Sequence, residues 1–165
     1  MAYVKTIRER ILDYLIDSFA NQQEGVPPGV DAWGNPTEYD FTWDVVQREP
    51  LTDRERKKRF ALAIIEQSEQ KNPQTEPCTH SFMQLTFEFF CLVQRDESPA
   101  EITNMILGNI QRRLKEDITA GGLSYNIREV GNDIDIDAWA DRQIDGVVNV
   151  AVLFKHATVD PRRLV

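Results

Sequence analysis

The chain has 165 residues, a mass of 19.0 kDa, a formal net charge of −8 and 41% hydrophobic residues. This length predicts one domain, residues 1–165, that needs neither a metal nor a disulfide to fold. The acidic balance argues against sequence-independent nucleic-acid binding, which depends on Lys and Arg that neutralise phosphates. No stretch resembles a membrane span or a signal peptide, so we expect a cytoplasmic product with no membrane partner.

The N-terminal third is predicted to contain a helix, a loop and a strand. Apolar residues recur at helical spacing over residues 4–21, which indicates an amphipathic helix. Glycines and prolines at 24–37 predict an irregular loop. Trp33 in this loop is either an exposed aromatic residue or, as we favour, a lid over the core. Alternating apolar and polar residues at 39–45 predict a strand.

Residues 51–70 fit two structures. Thr52 followed by Glu55 resembles a helix capping box, and the segment is rich in good helix formers. Further along the segment, however, apolar residues occupy alternate positions, as in a strand. We favour a hairpin with a strand at about 59–69 and a polar tip at 70–79, and we keep a helix as the alternative.

The next segment predicts an unusually long strand. Every odd position from Met83 to Val93 is apolar, which indicates a strand over residues 81–94. Fourteen residues at about 3.3 Å each span roughly 45 Å, so we expect the strand to extend past its own core as an arm. Cys78 and Cys91 would then lie roughly 40 Å apart, too far for a disulfide. Cys91 is on the apolar face and is expected to be buried and unreactive.

A second helix follows with clear start signals. Ser98 is a predicted N-cap, Pro99 occupies the first helical position, and Glu101 is placed to complete a capping box. Apolar residues recur every four positions from Ile102 to Leu114, which predicts one buried stripe. The glycine pair that comes next is a predicted stop signal.

The C-terminal part predicts two or three more strands, from alternation at 123–127, 134–136 and 148–155. The order of elements is therefore helix, strand, hairpin, helix and further strands. This order predicts an α+β fold: a mainly antiparallel β-sheet with a long hairpin and two helices packed on one face.

One acidic cluster invites a metal or enzyme hypothesis. It comprises Asp133, Asp135, Asp137, Asp141 and Asp145. A metal-dependent nuclease could use such carboxylates, but the spacing lacks the glycine and the bidentate glutamate of a calcium loop. We favour one solvated strand face that carries the first three aspartates. The sequence predicts no catalytic residue, no cofactor and no bound metal.

A basic run is unusual in a chain this acidic. It comprises Arg54, Arg56, Lys57, Lys58 and Arg59. The run is either a solvated loop or a docking patch for an acidic partner surface or a passing phosphate.

Three passages, which together span nearly the whole chain, share their element order with one family of viral proteins. The first is the helix Ile7–Phe19, which leads through a loop to Phe41-Thr-Trp-Asp-Val-Val. The second is the long hairpin that ends in Leu85-Thr-Phe-Glu-Phe, followed by the helix start Ser98-Pro-Ala-Glu. The third is Gly121-Gly-Leu, an acidic strand and the closing Val150-Ala-Val-Leu-Phe-Lys-His-Ala-Thr-Val-Asp-Pro-Arg. In these passages the chain resembles the bacteriophage tail terminators, which cap the head-proximal end of a tail tube.

The resemblance implies a structural virion protein at the tail–neck junction, assembled in the host cytoplasm. It implies a homohexameric ring that stops tube polymerisation, and four kinds of partner: copies of itself, the tail tube protein, a neck or connector protein and, in a contractile tail, the sheath protein. Genomic DNA would only pass through the lumen. Another neck component, such as a head-completion or stopper protein, is the nearest alternative, and a nuclease or a monomeric binding module is further away.

Two groups of residues are candidates for these contacts. The expected partner contacts are the basic run and the hairpin at 66–80, where the charged residues are Glu66, Glu69 and Lys71. The expected lumen face is acidic and consists of Asp133, Asp135 and Asp137, whose charge would repel DNA and ease its passage.

Overall fold

The computed structural model describes residues 3–34, 37–75 and 78–165, except the side chains of 73–75. Within them, five strands form one sheet in the order β1-β2-β3-β5-β4. The strands are β1 Val45–Gln47, β2 Phe60–Thr75, β3 Cys78–Leu92, β4 Asn126–Ile134 and β5 Gln143–Ala157; the helices are α1 Ile7–Ala20 and α2 Pro99–Glu116; the 3-10 helices are Glu55–Lys57 and Ile136–Asp141. All strand pairs are antiparallel except β1–β2, which is parallel.

Both long helices pack on one face of this sheet, which confirms the predicted α+β fold. The alternation in β3 directs its odd positions to that face, where Phe87 lies between Ile64 of β2 and Val148 of β5. Ile11 of α1 and Ile110 of α2 belong to the same fully buried cluster. In the described part of the chain, neither helix has the length and apolarity needed to cross a bilayer.

Both helices begin at a polar cap, of which only Ser98 was predicted; α1 begins at Ile7, three residues later than predicted. Thr6 precedes α1, and its hydroxyl accepts a hydrogen bond from Glu9 N–H at 3.2 Å while the Glu9 carboxylate accepts from Thr6 N–H at 3.0 Å. At α2 the Ser98 hydroxyl accepts from Glu101 N–H at 3.5 Å, but no bond from Ser98 N–H to the Glu101 carboxylate is found among the described residues, so the predicted capping box is half formed. These bonds satisfy backbone donors that have no partner inside a helix.

The 51–70 segment is confirmed as a strand in its second half, but the hairpin differs from the prediction. The Thr52–Glu55 capping box is only half formed among the described residues: Thr52 N–H lies 2.9 Å from the Glu55 carboxylate, but the 3-10 turn Glu55–Lys57 is preceded by Arg54, which gives no side-chain cap. The predicted polar tip at 70–79 is largely paired strand, since Lys71 lies opposite Ser81. Residues 76–77 of the predicted tip lie outside the described residues.

The expected arm is also corrected. β5 pairs with β3 along its whole length, from Cys78 opposite Ala157 to Leu92 opposite Gln143. The far end of β3 is therefore inside the sheet, where Thr79 and Ser81 are buried.

The predicted strand at 39–45 forms a ladder only at its end, in β1. From Tyr39 to Trp43 the apolar side chains are buried at alternate positions, as predicted, but no strand ladder forms there among the described residues. Tyr39 makes an isolated bridge to Glu24, in which its C=O accepts from Gly25 N–H at 2.9 Å, and the next two residues bond to side chains. Phe41 C=O accepts from the Gln22 side chain at 3.0 Å, and Asp40 N–H donates to the Asn109 side chain at 3.0 Å. Burial alternation therefore does not require strand pairing here.

Candidate assembly surfaces

The basic run lies in a segment that crosses the sheet face opposite the helices. Leu51 anchors this segment on a small apolar cluster with Ala61, Ala63 and Phe90. Because the segment is held at Leu51, the basic side chains are presented from a fixed position and not from a free loop.

Arg56 and Arg59 serve the fold, which separates them from the rest of the run. The Arg56 guanidinium donates to Glu88 at 2.7 Å and also to Asp145, and its Cζ lies 5.3 Å from the centre of the Phe90 ring. Arg59 donates to both Glu97 oxygens, at 2.7 and 2.9 Å. These two cations are occupied within the chain.

The other three members of the run remain available. Arg54, Lys57 and Lys58 are exposed and form no ion pair among the described residues. The docking hypothesis therefore applies to these three cations instead of to all five. The alternative, that they are simply solvated, remains open for the same three residues.

The charged candidates in β2 divide in a similar way. Glu66 accepts from Arg8 at 2.8 Å and pairs with Arg48, and Glu69 accepts from Arg8 at 3.1 Å. Both glutamates thus tie β2 to the start of α1. Lys71 is exposed and has no ion pair among the residues that the structure describes.

The three candidate lumen aspartates are exposed, but they do not share one strand face. Asp133 is near the end of β4, Asp135 precedes the 3-10 helix, and Asp137 lies within it. The Asp135 carboxylate accepts from Asp137 N–H at 3.1 Å, a local cap that turns the chain out of the strand. The predicted strand face is therefore wrong, whereas the position of these carboxylates in an assembly stays a prediction.

Trp33 does not cover the core, contrary to the favoured interpretation. Its side chain is 86% exposed, on a loop that faces α2 at Gly108 and Arg112. The structure supports the other interpretation, in which Trp33 is an exposed aromatic residue.

Of the cysteines and histidines considered for reactive chemistry, Cys91 and His156 are buried, whereas Cys78 and His80 are partly exposed. Both cysteines are free and lie in β3; burial raises the pKa of the Cys91 thiol to about 12, which keeps it protonated. His156 is buried, and His80 contacts Tyr125 on the sheet surface. No group of three or more possible metal ligands is found within the described ranges.

One surface was not predicted from the sequence, and we call it the β4 groove. It is a depression of about 420 Å³ between α2 and β4, with Leu114, Ile118 and Ile127 as its apolar floor and Lys115 and Arg128 on its rim. β4 is the last strand of the sheet, so its outer backbone groups pair with no other described strand. The two cations on its rim, Lys115 and Arg128, could have indicated such a surface in an acidic chain. They line one depression only because α2 lies beside β4 in the fold.

Comparison with models of known families finds no match, and comparison with curated proteins finds none either. Among solved structures, the chain is similar to the PVC sheath/tube terminator of an extracellular contractile injection system, determined by cryo-EM in its extended state. The TM-score is 0.41 and the identity 11%, over 96% of this chain and 60% of that one. This chain therefore spans about 60% of the length of that neighbour, and no residue role is transferred from it.

Proposed function

We propose that this chain is a structural tail protein that caps the head-proximal end of a phage tail tube as a homohexameric ring. The observation that carries the proposal is the resemblance to tail terminators in three passages. These passages coincide with consecutive elements of the fold: α1 and the segment after it, the β2–β3 hairpin with α2, and β4 with β5.

The mechanism in this proposal is geometric and involves no bond chemistry. One face of the ring complements the growing end of the tube, and the opposite face lacks that surface, so addition of tube subunits stops there. Head-to-tail contacts between different patches close into a ring when the rotation between neighbours is a simple fraction of a turn. Residues 1–165 act as one domain in this assembly.

The partners follow from the position of such a ring. It contacts the tail tube protein on one side and the neck or connector on the other, and the last sheath ring where the tail contracts. Arg54, Lys57, Lys58 and Lys71 are the candidate partner contacts that remain exposed and unpaired within the described chain. DNA passes through the lumen without being held, which suits a chain of net charge −8.

Labelling of intact tails tests this function. Antibody-coupled gold against the chain, imaged by electron microscopy on tails from the virus that encodes it, is expected at one end of each tube, on the side of the head. Label along the tube, at the distal end, or on no tail at all would contradict the proposal.

A further inference from the structure

We propose that neighbouring copies join through a knob-and-groove contact, in which Ile136 of one copy enters the β4 groove of the next. The inference rests on the proposed ring and adds the two surfaces that close it. Both surfaces are present on every copy of the chain, and they are different from each other.

The knob is an exposed apolar side chain with three exposed aspartates close to it in sequence. Ile136 begins the 3-10 helix after β4 and is 64% exposed. Asp133, Asp135 and Asp137 surround it in sequence, all three are exposed, and none forms an ion pair within the described residues. An isoleucine held out to solvent by a capped turn gains nothing for the isolated fold, because its apolar surface stays in water.

The groove is apolar like the knob, but the charge around it is of the opposite sign. Its floor is apolar, and Ile118 in it is 42% exposed, so apolar surface is open there too. Lys115 and Arg128 on the rim are exposed and unpaired in the described chain, while Glu129 is the one acidic rim residue. An apolar centre with complementary charges around it is the usual arrangement of a protein interface.

A second copy is the occupant that these observations select. Three carboxylates around the knob meet two cations around the groove, in a chain whose net charge of −8 otherwise repels other copies. The knob cannot fill the groove of its own chain. Ile127 is at the start of β4 and Ile136 just past its end, and nine residues of strand separate them by roughly 30 Å.

This contact assigns the acidic cluster to the boundary between subunits and not to the DNA channel. Because each interface uses the knob of one copy and the groove of the other, the contact is head-to-tail and can close a ring. Two variants, each with one damaged surface, should therefore complement each other at a single interface.

The experiment uses Ile136→Asp, which damages the knob, and Ile118→Asp, which damages the groove. Both residues are exposed, and a thermal unfolding scan checks that each variant folds. The matched control is Val159→Asp, at an apolar residue that is 84% exposed and belongs to neither surface. Native mass spectrometry measures the species that each chain forms alone and the species in an equimolar mixture of the two variants.

We expect wild type and Val159→Asp to form the ring, and each of the other two variants to lose it. The mixture should give a dimer with one copy of each variant, since only the intact groove of one and the intact knob of the other can meet. Rings from both single variants would overturn the contact while leaving the capping function intact. A wild-type chain that stays monomeric up to millimolar concentration would also overturn it, and gold labelling of tails would then decide the capping function separately.

Discussion

The Arg56 guanidinium donates a 2.7 Å hydrogen bond to the Glu88 carboxylate, 32 positions further along the chain. Glu88 also accepts from Leu51 N–H at 3.1 Å, and Arg56 also donates to Asp145. A segment before β2, the middle of β3 and the start of β5 are thereby joined through one cation. Arg56 belongs to the basic run in sequence, but its role in the structure is to hold these three segments together.

Replacing this cation should destabilise the protein. Arg56→Met leaves Glu88 and Asp145 unpaired, and the Arg56 side chain is only 27% exposed, so we expect the free energy of unfolding to fall by about 2 kcal/mol. Urea denaturation measures the change. Lys57→Met is the matched control at an exposed neighbour and should stay within about 0.5 kcal/mol of wild type. Equal losses from the two variants would contradict the assigned role of Arg56.

Two glycines should respond in opposite directions to alanine. A Cβ at Gly146 in β5 would lie 2.7 Å from Phe89 Cζ and 3.0 Å from the Asp133 carbonyl oxygen, so Gly146→Ala should destabilise by about 1–3 kcal/mol. A Cβ at Gly108 in α2 would meet nothing within 4 Å. Gly108→Ala should therefore stabilise by about 0.5–1 kcal/mol, because alanine is the better helix former. Chemical denaturation of both variants checks the signs, and a stabilising Gly146→Ala would contradict the close packing at β5.

Asp117 should make part of the stability depend on acid pH. Hydrogen bonds from the Thr119 and Tyr14 hydroxyls and from Gly121 N–H lower its pKa well below the ordinary value of 3.8. A folded-state pKa below the unfolded one gives stability that is present above the unfolded pKa and is lost as the pH falls through the folded pKa. Wild type should thus be more stable than Asp117→Asn at neutral pH, and the difference should shrink in acid below about pH 4.

The control for the substitution itself is Asp96→Asn, because Asp96 is exposed and accepts no hydrogen bond in the described chain. This variant should stay within about 0.5 kcal/mol of wild type at neutral pH. Unfolding free energies of wild type and Asp117→Asn at a series of pH values measure the pH dependence. A difference between wild type and Asp117→Asn that is constant down to strong acid would show that the Asp117 contacts do not favour the ionised form.

The two cysteines should differ in reactivity. Cys78 is partly exposed near the start of β3, whereas Cys91 is fully buried and its raised pKa of about 12 suppresses the thiolate. A chromogenic disulfide reagent should label one thiol per native chain rapidly and two in urea. Cys78→Ser should remove the rapid phase, and rapid native labelling of Cys91 in that variant would contradict its buried position.

Most of the fold could be predicted from local patterns in the sequence. Alternation in β3 and the polar cap at Ser98 depend on neighbours in sequence, so both could be predicted from it. The Thr6–Glu9 capping box has an equally local pattern, although it was not predicted. The segment from Tyr39 to Trp43 also alternates, yet the backbone of Asp40 and Phe41 bonds to the side chains of Asn109 and Gln22 instead of to a strand. Those partners come from distant parts of the chain, and no local pattern reveals them.

The candidate surfaces were less predictable for the same reason. The link from Arg56 to Asp145 joins residues 89 positions apart, so a run of cations in sequence does not show which members are free. The β4 groove combines residues of α2 and β4 that come together only in the tertiary structure. Conversely, the alternation of Asp133, Asp135 and Asp137 looked like a strand because sequence spacing does not show that Asp135 caps a turn.

Native mass spectrometry over a concentration series tests whether the chain forms a hexameric ring. We expect a dominant species of six times the chain mass of 19.0 kDa, with dimers and other intermediates only at low concentration. Tail tube ends added to a dilute sample should recruit the same six copies. A chain that remains monomeric at every concentration, and is not recruited by tube ends, would contradict the ring and with it the proposed capping mechanism.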